Sequence, residues 1–88
     1  MWSDEAFEAI AHPLRIKILK LLAERPMGFS ELKRMLGIKS SGKLDFHLEK
    51  LGNLITLNSS GKYTLTKEGY AAVLVIIFEL STSYQVHY

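Results

Sequence analysis

The sequence predicts a mainly helical fold carrying one small β-hairpin, and three observations support that expectation. Apolar residues recur at helical spacing through residues 14–23, 29–36 and 44–51. Glycine, proline and serine punctuate those runs. Two short β-favouring runs flank the turn-rich tetrapeptide Asn58-Ser59-Ser60-Gly61. Between Phe29 and Thr66 the order is a short helix, a glycine-centred turn, a second helix with basic residues and then the hairpin. That order describes a winged helix-turn-helix, expected here with five helices plus the wing.

Ser3 or Asp4 can cap a first helix that turns Ala6, Phe7 and Ile10 towards the core. His12-Pro13 interrupts it, because proline holds the preceding residue extended and itself suits the first position of a new helix. A second helix therefore starts at Pro13. At 100° per residue, Leu14, Ile18, Leu21 and Leu22 cluster on one side of it. Ile16, Leu19 and Ala23 widen that arc, and Lys17, Lys20 and Glu24 take the remainder.

Arg25-Pro26-Met27-Gly28 breaks the pattern and forms a connection. Gly28 is an acceptable N-cap, Phe29, Leu32 and Leu36 fall at i, i+3 and i+7, and Gly37 offers the C-cap of a third helix about two turns long. Ile38 and Lys39 make the turn, and Ser40-Ser41 supplies the next cap. The fourth helix, Ser41–Leu51, points Leu44, Leu48 and Leu51 inwards. Its opposite side gathers Gly42, Lys43, Phe46 and Lys50, two lysines around an aromatic ring. Gly52-Asn53 ends it. Leu54-Ile55-Thr56-Leu57 and Lys62-Tyr63-Thr64-Leu65 then pair as the wing, residues 54–66, with Lys62 near its tip. Thr66 caps a last helix within residues 67–88.

A chain of 88 residues allows one domain, taken here as residues 1–88, which buries roughly 60–65% of the unfolded chain's surface. Apolar residues make up 48%, and a small domain with surplus apolar surface often covers it with a partner. The formal charge of +2 is unevenly spread. Residues 1–24 hold three Lys/Arg against four Asp/Glu, whereas residues 25–52 hold six against three, so the basic excess lies on the helix-turn-helix. Such a surface suits phosphate neutralisation, although a solvated basic face has the same composition. With no cysteine, disulfides, thiolate metal sites and cysteine nucleophiles are excluded. The opening Met1-Trp2-Ser3-Asp4-Glu5 is acidic where a secretory signal is basic, so the expected location is cytoplasmic.

The chemistry of the fourth helix follows from its residue types. Serine hydroxyls and free N-terminal amides bind phosphate, Gly42 permits close backbone approach, and Lys43 and Lys50 add charge. Phe46 can touch thymine methyls; alternatively it packs on the wing or a neighbouring chain. Lys62 is either a phosphate contact or an ordinary hairpin charge, and Arg15 either reaches phosphate or bridges a carboxylate. The spacing offers no metal site, because Asp45 and His47 project about 200° apart on a helix and cannot hold one ion. His12 reads as a helix-boundary residue and His87 as terminal polar surface. No Ser, His and carboxylate pairing suggests catalysis, so neither an enzyme nor a cofactor is expected.

Four segments carry a family resemblance. Ile10-Ala11-His12-Pro13-Leu14-Arg15-Ile16-Lys17-Ile18-Leu19, then Ser30-Glu31-Leu32 with Leu36-Gly37-Ile38, then His47-Leu48-Glu49-Lys50-Leu51, then Tyr63-Thr64-Leu65-Thr66-Lys67-Glu68-Gly69 resemble the ArsR-type winged-helix regulators over about residues 6–70. The phenylalanine directly before His47-Leu48 resembles archaeal members of that group. The resemblance implies a double-stranded DNA-binding transcriptional regulator whose fourth helix is the recognition helix, with Ser40, Ser41, Lys43, Phe46 and His47 near DNA. One departure matters. Metal-sensing members carry a Cys-x-Cys pair in the third helix, and Ser30-Glu31-Leu32-Lys33-Arg34 has no thiol, so arsenic-type sensing there is excluded.

The last helix needs cover. Ala71-Ala72-Val73-Leu74-Val75-Ile76-Ile77-Phe78 is apolar on every face, which a peripheral helix on a monomer cannot satisfy. The run is too short for a bilayer and meets Glu79, Ser81, Thr82, Ser83 and Gln85 when extended, so no membrane contact is expected. A homodimer is expected instead, with Trp2, Phe7, Val73, Leu74, Ile76, Ile77, Phe78 and Leu80 at its interface. The alternative is a winged helix used for protein contact in a transcription or assembly complex, because fold alone does not decide between the two.

Overall fold

A computed structural model of the protein describes residues 10–85, with side chains through residue 78. Its elements in order are α1 (Pro13–Glu24), α2 (Phe29–Leu36), α3 (Ser41–Leu51), a 3₁₀ turn (Gly52–Leu54), β1 (Ile55–Leu57), β2 (Tyr63–Leu65) and α4 (Lys67–Gln85). The described residues thus hold four α-helices rather than the five expected. The N-terminal helix expected around Ala6 and Phe7 lies outside them, apart from Ile10, which is helical and buried.

Local chemistry sets the boundaries. His12, extended before Pro13, caps α1 by accepting the Leu14 amide on Nδ1 at 3.1 Å. Gly37 closes α2 in the left-handed region at φ 67°, where a side chain would be strained, and the Ile38 amide returns to the Lys33 carbonyl at 3.0 Å. Ser40 Oγ accepts the Lys43 amide at 3.2 Å to start α3. Thr66 Oγ1 accepts the Gly69 amide at 3.1 Å and donates to the Asn53 carbonyl at 2.6 Å, tying the start of α4 to the 3₁₀ turn after α3.

The hairpin pairs Ile55 with Leu65, Thr56 with Thr64 and Leu57 with Tyr63. Its strands are shorter than expected, because Leu54 closes the 3₁₀ turn and Lys62 belongs to the loop. Asn58 organises that loop: its Oδ1 accepts the Ser60 and Lys62 amides at 2.9 and 3.0 Å. Met27, inside the first connection, adds a strand-like link. Its amide donates to the Tyr63 carbonyl at 3.1 Å and its carbonyl accepts the Tyr63 amide at 2.7 Å, with the side chain buried.

The core lies where α1 meets the other elements. Ile18, Leu19 and Leu22 of α1 close over Leu32, Leu44, Leu51, Leu54, Leu65 and Ala72. Leu19 is fully buried, nearer the centre of the α1 face than the projection placed it. Gly69 lets α4 approach: a Cβ there would run into the Leu54 carbonyl oxygen, which already accepts the Thr66 amide at 3.0 Å. On α4, Ala72, Val73 and Ile76 are buried by their own subunit while Leu74, Ile77 and Phe78 stay exposed. The interface expected at Val73 and Ile76 is therefore corrected: those two positions are core, because their side of the helix meets α1 and the 3₁₀ turn. Among the described residues no helix is long and apolar enough to cross a membrane.

Candidate nucleic-acid interface

Helix α3 presents two chemically opposed sides. Leu44, Leu48 and Leu51, no more than 5% exposed, anchor it to the core. Phe46 on the far side is 52% exposed. Lys50 Nζ sits 5.5 Å from the Phe46 ring centroid, one turn along, within cation–π range. Lys43 is exposed as well, and a Cβ on Gly42 would meet only Ser40 Oγ at 3.9 Å, so the backbone there is open to approach.

The helix N-terminus joins this surface. Ser41 Oγ accepts from Lys33 Nζ at 2.9 Å, which brings a third lysine across from α2. Because the Ser40 and Ser41 hydroxyl oxygens already accept, each retains an O–H to donate to an anion. Sequence reasoning did not assign Lys33 to this cluster, since nothing in linear spacing shows that α2 ends beside the start of α3.

His47 departs from its expected place. It is 5% exposed, and its Nδ1 accepts from Arg15 Nε at 3.3 Å. Its ring lies 4.6 Å from that of His12 and meets Phe46 edge-on at 5.4 Å. His47 is therefore removed from the DNA-facing set. The reason was available in the helical period: three residues from Leu44 and four from Leu51, it lies only about 60° and about 40° from them. Burial, followed by the positive charges of His12, Arg15 and Lys43, holds its imidazole below the ordinary value near 6.5. The bond from Arg15 goes to a ring nitrogen, a partner that neither expectation for Arg15 included.

Two carboxylates flank the outer side. Asp45 and Glu49 are exposed and line a cleft of about 310 Å³ with Thr56, Leu57 and Tyr63, between α3 and the hairpin. Lys62 is exposed in the hairpin loop. With Arg34, it adds to the effect of the Arg25 ion pair, which holds the Glu31 carboxyl below its usual range. The second exposed surface is apolar: Leu74 is 67% and Phe78 68% exposed, with Ile77 between them. Trp2 and Phe7 lie outside the described residues, as does the side chain of Leu80.

Comparison with known proteins places this geometry. The model of a family described as "Domain of unknown function (DUF7347)" matches residues 3–76. The quinone-bound YodB structure from B. subtilis superposes with a TM-score of 0.74 at 22% identity, covering 97% of this chain and 94% of that one. An ArsR family transcriptional regulator, RHA00566, superposes with a TM-score of 0.59 at 26% identity, covering 93% and 94%. No curated protein matches the sequence. The fold is that of the ArsR-like winged-helix regulators, as the sequence motifs implied.

Proposed function

The chain belongs to the DUF7347 family, and from that premise we propose that it binds double-stranded DNA as a homodimeric transcriptional regulator. One observation supports the reading above all: α3 turns Gly42, Lys43, Phe46 and Lys50 to water while its leucines hold the opposite side in the core. Similarity to an ArsR family transcriptional regulator supports it further.

In this reading α3 enters the major groove. Its first amides, with the Ser40 and Ser41 hydroxyls, meet one phosphate, while Lys43 and Lys50 neutralise others. Phe46 touches thymine methyls. Lys62 reaches the flanking backbone from the hairpin loop. Helix α4 is the dimerisation helix of this single domain. The outer face of Leu74, Ile77 and Phe78, joined by Leu80, Trp2 and Phe7, packs on a second copy, and the two reading helices lie about 34 Å apart. The same apolar face favours one other reading, a winged helix that grips a different protein.

Selection of bound sequences from random duplex DNA tests the reading. An inverted repeat with half-sites one helical turn apart is the expected result. Absence of enrichment at low salt contradicts it and favours the protein-contact reading.

A further inference from the structure

We propose that His47 is a proton-linked positioning residue: with its ring neutral, the bond from Arg15 fixes how α3 presents Phe46, and acid releases that hold. The inference rests on the DNA-binding reading and adds a regulatory input to the same helix.

The geometry carries it. Two histidines in ring contact each accept a hydrogen bond on Nδ1, His12 from the Leu14 amide and His47 from Arg15 Nε. A protonated imidazole has hydrogen on both nitrogens and accepts nothing. Protonating His47 therefore breaks the Arg15 bond that links α1 to α3. The charges bearing on His47 are His12 from the segment before α1, Arg15 from α1 and Lys43 from α3, all of the sign that opposes a proton. The ring is nearly buried and lies edge-on to Phe46. A change there is transmitted directly to the side chain assigned to base contact.

The expected sign runs against bulk electrostatics. Extra positive charge in acid strengthens phosphate contacts to any duplex. Release of the Arg15 tie weakens only the sequence-dependent part of binding. The ratio of affinity for a selected duplex to affinity for a scrambled one of equal length should therefore fall with pH.

The test measures both affinities at fixed salt, at pH 7.5 and 5.5, for the full chain and for His47→Asn. Asparagine keeps an acceptor near the Nδ1 position and takes no proton. The wild-type ratio is expected to fall several-fold, with about tenfold as the ceiling for one unit of differential proton affinity, while the ratio for His47→Asn stays level. A wild-type ratio that holds or rises in acid overturns the proposal, as does an equal fall in the variant.

Imidazole ¹⁵N resonances of the free wild-type protein give a second readout without DNA or mutation. His47 should titrate below an exposed histidine with Nδ1 unprotonated at pH 7.5, and an ordinary titration would overturn the proposal. Failure to bind either duplex at pH 7.5 defeats the DNA reading and this proposal together. Firm binding with a level ratio defeats this proposal alone.

Discussion

Helices α3 and α4 each seat one side in the same core, yet they leave opposite chemistries outside. The outer side of α3 is glycine, lysine and carboxylate around a single ring, a surface at ease in water and suited to a polyanion along its basic edge. The outer side of α4 is Leu74, Ile77 and Phe78, which gain only by leaving water. A helix that retains charge around an exposed aromatic suits a polar partner, and one that exposes a row of large apolar side chains suits an apolar one. The proposed function assigns the first surface to DNA and the second to a second copy of the chain.

The sharpest way to break this comparison is to exchange sides on α4. Val73→Asp buries an unpaired charge and should prevent cooperative folding, seen as loss of the helical circular dichroism signal. Leu74→Glu with Phe78→Glu should keep that signal and convert the proposed dimer to monomer in sedimentation. A folded dimer in the double variant would show that this face is not the interface.

The same exchange on α3 is the next largest. Leu44→Ala should destabilise by about 2–5 kcal/mol in chemical denaturation, while Phe46→Ala should stay within about 0.5 kcal/mol. Equal losses would mean that the Phe46 ring is core. Lys43→Gln and Lys50→Gln sharpen the charged half of the contrast. Each should lower the salt slope of duplex binding by roughly one unit if it contacts phosphate, and an unchanged slope removes that lysine from the interface.

The smallest effect is that of pH on stability. A base whose proton affinity is depressed by folding contributes stability above its ordinary value, and that contribution is lost as pH falls through the ordinary value towards the folded one. For His47 the window opens near 6.5 and extends below it. Denaturation midpoints of the wild type should decline on acidification through that window, with a shallower decline in His47→Asn.

Much of this arrangement was legible from local chemistry. Gly28, Gly37, Ser40 and Thr66 act through their own backbone conformations or short-range bonds, so α2 begins and ends, and α3 and α4 begin, where those residues sit. Leu44, Leu48 and Leu51 point inwards because helical spacing alone demands it. The remainder depends on contacts between distant segments. Met27 is written as a loop residue, and only the edge of β2 makes it a pairing partner. Gly69 reads as one more glycine until the Leu54 carbonyl occupies its Cβ position. The run 71–78 is apolar all round, so its division into a core side and an outer side awaited the position of α1. For His47 the family resemblance pointed to DNA, whereas its place beside Leu44 and Leu51 on the helix puts it against the core.

The most direct test of the central contrast is a backbone amide titration by NMR, adding a selected duplex to the full chain. The account predicts the largest shift changes at Ser40–Lys43, Phe46, Lys50 and the 58–62 loop, with little change at Leu74, Ile77 and Phe78. Changes concentrated on α4, with α3 silent, would contradict it.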